Sequence, residues 1–219
     1  MSFLKACIFD LDGVIVDTAK FHFLAWKKIS NDLGFDIDHH FDEKIKGVGR
    51  SRCVDILLEH GKIEKSEQDK IQIADEKNAL FLEYVSTITE ADILPGVSNF
   101  LQQLDDNNIP FALGSASKNA PLILRKIGLY DRFKVIIDGN VISKAKPNPE
   151  VFLRGAQEMN ILPQDCVVFE DAVNGVEAAK NGGFYCVGVG QKEILSTADI
   201  CIESFTELST WQSFNMLLK

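Results

Sequence analysis

Two carboxylates, Asp10 and Asp12, stand two residues apart at the end of a short apolar run, Ala6-Cys7-Ile8-Phe9. The run reads as a buried strand of a parallel sheet. Such an end offers little water to two acids, so they need a cation, a catalytic task or an exit to the surface. Taken alone, Asp10-Leu11-Asp12-Gly13 also reads as a plain turn. Other strand ends weigh against that. An apolar run at 109–114 ends at Ser115, and another at 166–169 ends at Glu170-Asp171. A short run at 135–137 is followed by Ser143-Lys144-Ala145-Lys146-Pro147. In open α/β sheets ligands bind outside the carboxyl ends of the strands. Four carboxylates meeting there repel one another without a counter-ion, and an all-oxygen set favours Mg²⁺. With Mg²⁺ and Lys146 that edge suits a phosphoryl group, whose transfer needs alignment and charge neutralisation. Asp10 could attack phosphorus as a carboxylate, and Asp12 could hold or release the proton of a hydroxyl.

Strand and helix alternate from residue 93 onward, which predicts right-handed crossovers and a doubly wound parallel sheet. Residues 17–92 interrupt this pattern and read as nearly all helical. The expected architecture is α/β: a doubly wound core from 1–16 and 93–219, with an inserted helical cap at 17–92. Within the cap, Thr18, His22 and Trp26 recur every fourth residue and share a helix face. Residues 36–41 read as a polar connector. Lys46-Gly47-Val48-Gly49-Arg50 within 43–52 reads as an anion-binding loop or a glycine-containing turn. Lys77 lies on a charged helix at 66–85 and by itself reads as a solvated group. A closing helix is expected at 211–218.

The chain has 219 residues, a net charge of −9 and 46% hydrophobic residues. The acidic balance argues against nucleic acid as a partner. No stretch has the length of a membrane span, and the N-terminal run is too short for a signal peptide. Five cysteines without a CxxC pair read as buried hydrophobes in a reducing cytoplasm.

The ordered set Asp10-Leu11-Asp12-Gly13-Val14, Ser115, Lys146-Pro147 and Glu170-Asp171 resembles the haloacid dehalogenase-like superfamily along the whole chain. The resemblance implies a Rossmann-like core with a helical cap, Mg²⁺ and an aspartyl-phosphate intermediate, with Asp10 as nucleophile and Asp12 as general acid/base. It implies a metal shell of Asp10, the Asp12 carbonyl, Glu170 and Asp171, with Ser115 and Lys146 on the transferring phosphate. Asp17-Thr18-Ala19, His22, Trp26, Lys46-Gly47-Val48, Arg50, Lys77 and Ser115-Ala116-Ser117-Lys118-Asn119 resemble more narrowly the β-phosphoglucomutase family. That implies sugar-phosphate substrates and conversion of β-glucose 1-phosphate to glucose 6-phosphate, with β-glucose 1,6-bisphosphate as primer and intermediate. Arg50, Ser117, Lys118 and Asn119 would clamp the distal phosphate. His22, Trp26, Gly47, Val48 and Lys77 would touch the sugar or fix the cap. Gly49 and Cys53 depart from an expected serine, and Gly114 from alanine. A sugar-phosphate phosphatase with the same core is the alternative, and an inactive binding module a remote one. A monomer is expected; the sequence does not fix the isomer of the Lys146–Pro147 bond, and a cis form that aims the lysine is a hypothesis against a base rate of about 5–6% for X–Pro bonds.

Overall fold

The computed structural model describes residues 5–208, 210 and 214. Six strands form one parallel sheet in the order β3-β2-β1-β4-β5-β6. They are β1 (Ala6–Phe9), β2 (Phe111–Gly114), β3 (Val135–Ile137), β4 (Cys166–Glu170), β5 (Tyr185–Val189) and β6 (Ile200–Ile202). Strand order reverses beside β1, which pairs with β2 on one side and β4 on the other. That is the topological switch point at which a doubly wound sheet opens a crevice.

Alternation along β1 builds both layers of the core. Cys7 and Phe9 face one cluster, and Ala6 and Ile8 the other. Phe9 stacks on Phe169 at 4.9 Å between ring centroids and meets Phe100, Phe111 and Phe133 edge-on. The helices α5 (Val97–Asp106), α6 (Ala120–Lys126), α7 (Glu150–Glu158) and α8 (Val173–Asn181) accompany the strands. Gly114 is explained by packing: a Cβ there would stand 2.8 Å from the Phe152 ring.

The inserted segment carries four helices and no strand among its described residues: α1 (Ala19–Asp32), α2 (His39–Ile45), α3 (Arg50–Gly61) and α4 (Glu67–Tyr84). It has its own apolar cluster, including Trp26, Ile29, Phe41, Ile45, Leu57 and Ile73. Its two connections to the sheet lie side by side. Val16 bridges Ile93, and the Leu94 N–H donates to the Ile15 carbonyl at 3.0 Å.

Two expectations for this segment are corrected. Residues 39–45 are a helix, not part of a connector and loop; the Asp38 carboxylate caps it by accepting from the Phe41 N–H at 2.8 Å. Arg50 is the first residue of α3, so only Lys46–Gly49 remains as a loop. The helix expected at 211–218 lies almost wholly outside the described residues. None of the described helices is long and apolar enough to cross a membrane.

Candidate active site

The sheet brings its strand-end residues together at the crevice. Asp10 follows β1 directly, and its N–H donates to the Phe169 carbonyl of β4 at 3.0 Å. Ser115 follows β2 and is held by the Ile137 carbonyl of β3 at 2.9 Å. Glu170 is the last residue of β4. Lys146 reaches this edge from the segment after β3, and its peptide bond to Pro147 is cis.

Lys146 is the buried centre of the group. Its Nζ donates to Asp10 Oδ1 at 2.6 Å and to Glu170 Oε1. The other Glu170 oxygen accepts from the Ala172 N–H at 3.0 Å. Asp10 Oδ2 accepts from the Asp12 N–H at 3.1 Å. Burial raises the Asp10 carboxyl to about 7; Lys146 opposes this, while Glu170 and Asp12 add to it. Asp171 is likewise raised well above the usual carboxylate range, by burial and then by Glu170 and Asp10. Its Oδ2 packs on Gly13, where a Cβ would lie 2.2 Å away and φ is +79°. Glycine is therefore required at 13 on two counts.

Asp12 belongs to a second chain of contacts that crosses into the helical segment. It accepts from the Thr18 hydroxyl, and its Oδ1 lies 3.6 Å from His22 Nε2. His22 Nδ1 stands 2.7 Å from Lys77 Nζ. Lys77 is buried, contrary to the solvated reading of its local sequence. Trp26 and Phe81 cover it, with its Nζ 5.2 Å and 4.7 Å from their ring centroids. Burial lowers Lys77 to about 7. For Asp12, burial is outweighed by His22, Thr18 and Lys77, so its carboxyl sits below the ordinary range. His22 is itself held low by burial and by Lys77. No described residue hydrogen-bonds its buried Nε2.

A cavity of about 680 Å³ lies between sheet edge and helices. Asp10, Asp12, Ser115, Ala116, Ser117, Lys118, Asn119 and Asp171 line its sheet side. His22, Trp26, Lys46, Gly47, Val48, Arg50 and Lys77 line the helical side. Thr18, Lys146 and Glu170 do not reach its wall and stand behind Asp12 and Asp10. Neither Arg50 nor Lys118 forms a salt bridge with any described carboxylate.

Three contributors, Glu150, Asn174 and Asp42, escaped sequence reasoning, while Asn78 stands beside Lys77 in the stretch that carries the narrower resemblance. Glu150 accepts from the Ser143 N–H and hydroxyl and from the Lys144 N–H, at 2.9, 2.8 and 2.8 Å, and so fixes the loop leading to Lys146. Asn78 of α4 accepts from the Asn119 side-chain amide at 2.9 Å. Asn174 donates to the Lys46 carbonyl at 3.2 Å. Asp42 lines the cavity from α2. Only Glu150 left a trace, as an acid close after Lys146-Pro147.

No three acidic, His or Cys side chains among the described residues form a finished metal cage. The donor chemistry nevertheless fits a hard divalent cation. Asp10 and Asp171 crowd together at a depth that pushes both carboxyls up, which a cation would reverse.

Sheet order, strand-end acids and buried lysine define an α/β enzyme built for phosphoryl chemistry. The chain belongs to the haloacid dehalogenase-like hydrolase family, which it matches over residues 4–183. Within that family it is 38% identical over 208 residues to a β-phosphoglucomutase of Bacillus subtilis, covering 94% of this chain and 92% of the relative. The crystal structure of a Clostridium difficile β-phosphoglucomutase superposes with a TM-score of 0.92 at 40% identity, covering 97% of this chain and 96% of that one. A Thermotoga maritima phosphatase of phosphorylated carbohydrates is 32% identical, covering 82% of each chain.

Proposed function

We propose that this enzyme is a phosphomutase that interconverts β-glucose 1-phosphate and glucose 6-phosphate through β-glucose 1,6-bisphosphate. One observation carries the reading. A single cavity holds Asp10 at one wall and a second set of phosphate-competent donors, Arg50, Ser117, Lys118 and Asn119, elsewhere on its lining. A mutase must hold two phosphates, whereas a phosphatase needs to hold one.

In this reading the core comprises 1–16 and 93–219, and the cap 17–92. The paired connections at Val16 and Ile93 support that division. Asp10 attacks phosphorus and becomes an aspartyl phosphate. Lys146 and Ser115 balance charge on the transferring group. Asp10, the Asp12 carbonyl, Glu170 and Asp171 would hold Mg²⁺, which would supply further charge neutralisation at the phosphoryl oxygens. Asp12 takes the proton of the attacking sugar hydroxyl and returns it to the leaving one. Thr18 fixes its carboxylate, and with His22 nearby keeps it ionised until then. His22 and Lys77 sit on helices of the cap, so the acid/base is completed only by cap residues. That arrangement ties proton transfer to the cap residues that stand over the sheet edge.

Water capture of the aspartyl phosphate is the second reading, favoured by the likeness to the Thermotoga phosphatase. A panel of sugar phosphates, assayed with and without bisphosphate primer, separates the two. Primer-dependent glucose 6-phosphate in excess of orthophosphate supports the mutase. Orthophosphate as the sole product supports the phosphatase and refutes the mutase.

A further inference from the structure

The buried carboxylate of Asp42 has no part in the phosphate chemistry, yet it lies on the cavity wall. The residue is 7% exposed, its carboxylate oxygens keep access to the cavity, and no described residue donates a hydrogen bond to them. Its neighbours on the inward face of α2, Phe41 and Ile45, are apolar and packed in the helical cluster. An acid therefore stands where the helix otherwise buries hydrocarbon. Local explanations for it are already taken up. Asp38 caps α2. The Lys46 ammonium, one turn on, is engaged by Glu43 at 2.6 Å. A helix macrodipole is served as well by an exposed acid in the first turn. Burial raises the Asp42 carboxyl to about 6, with Lys46 offsetting part of that.

The remaining partner is a ligand. Cationic donors on the cavity lining, among them Lys46, Arg50, Lys77 and Lys118, suit phosphate oxygens. A sugar also carries hydroxyl hydrogens that need acceptors. Asp55, Glu67 and Asp75 line the helical side too, but none of them is buried. We propose that Asp42 accepts a hydrogen bond from a sugar hydroxyl and so selects which sugar phosphate is turned over. This rests on the sugar-phosphate function proposed above and names a residue that reads the sugar. A site built to bond a hydroxyl discriminates strongly against an analogue lacking it, because the buried acceptor is then left unpaired.

The test is a coupling measurement. The sugar phosphate that the wild type turns over fastest, and its monodeoxy analogues, are assayed with wild type, Asp42→Asn and Asp42→Ala. Urea midpoints of all three proteins check folding. In the wild type, one deoxy position should lower kcat/KM by about 10- to 100-fold, the loss of one hydrogen bond to a charged acceptor. In Asp42→Ala that position should cost little more, while the other positions keep their wild-type penalties. Asp42→Asn, which retains a carbonyl acceptor, should fall between. A uniform loss across all analogues, or none, overturns the role of Asp42 and leaves the mutase reading intact. A wild type that turns over no sugar phosphate overturns both.

Discussion

Replacing Lys77 with methionine should make the protein more stable and less active. Lys77 is 2% exposed, and its ammonium meets only His22 Nδ1 and two aromatic faces at close range. Burial lowers it from 10.5 to about 7, which at roughly 1.36 kcal/mol per pH unit corresponds to about 5 kcal/mol. Because the folded value is the lower one, the unfolded chain binds more protons between about pH 7 and 10.5. Stability of the wild type therefore rises with pH across that window, and the penalty is complete below it. Methionine fills similar volume without the charge. Urea unfolding of both proteins from pH 6 to 9.5 reads the difference. Lys77→Met should exceed the wild type most at pH 6, with the gap closing by up to about 1.4 kcal/mol per pH unit above pH 7. Turnover should fall at the same time, since His22 loses its partner and Asp12 a nearby positive charge. A difference in stability that does not change with pH would refute the buried, depressed lysine.

Further consequences follow from single contacts. Glu150→Ala should lower kcat on the order of tenfold or more, with KM little changed, because the loop carrying Lys146 loses three hydrogen bonds; steady-state kinetics check this. Arg50→Ala should raise KM for the bisphosphate and shift products toward orthophosphate, read as the ratio of glucose 6-phosphate to free phosphate. Phe9→Ala should cost about 3–5 kcal/mol in urea unfolding, since its ring contacts five other phenylalanines at the centre of one core layer.

The sheet was legible because its buried strands are short apolar runs closed by polar residues, and their order of appearance already implied a doubly wound fold. The strand-end group was legible for the same reason: Asp10, Ser115, Lys146 and Glu170 each sit at a punctuation point in the chain. The helical segment was harder. Helix α2 spans two turns with only Phe41 and Ile45 apolar, so its period is too short to register, and Asp38 as its cap looks like any loop acid. Lys77 misled because, Phe81 on its own helix apart, its burial comes from Trp26 and His22 on another helix. Asn78 and Asn174 act across the boundary between helices and sheet, which local pattern does not encode.

Phosphorylation of Asp10 tests the central claim most directly. Enzyme is mixed with β-glucose 1,6-bisphosphate carrying labelled phosphate, quenched and digested, and the labelled peptide is identified. A parallel sample is chased with unlabelled β-glucose 1-phosphate. The label should sit on Asp10, be absent from Asp10→Asn, and pass on chasing to the sugar and not to orthophosphate. Label elsewhere, or turnover retained by Asp10→Asn, would contradict the nucleophile; label released only as orthophosphate would contradict the mutase.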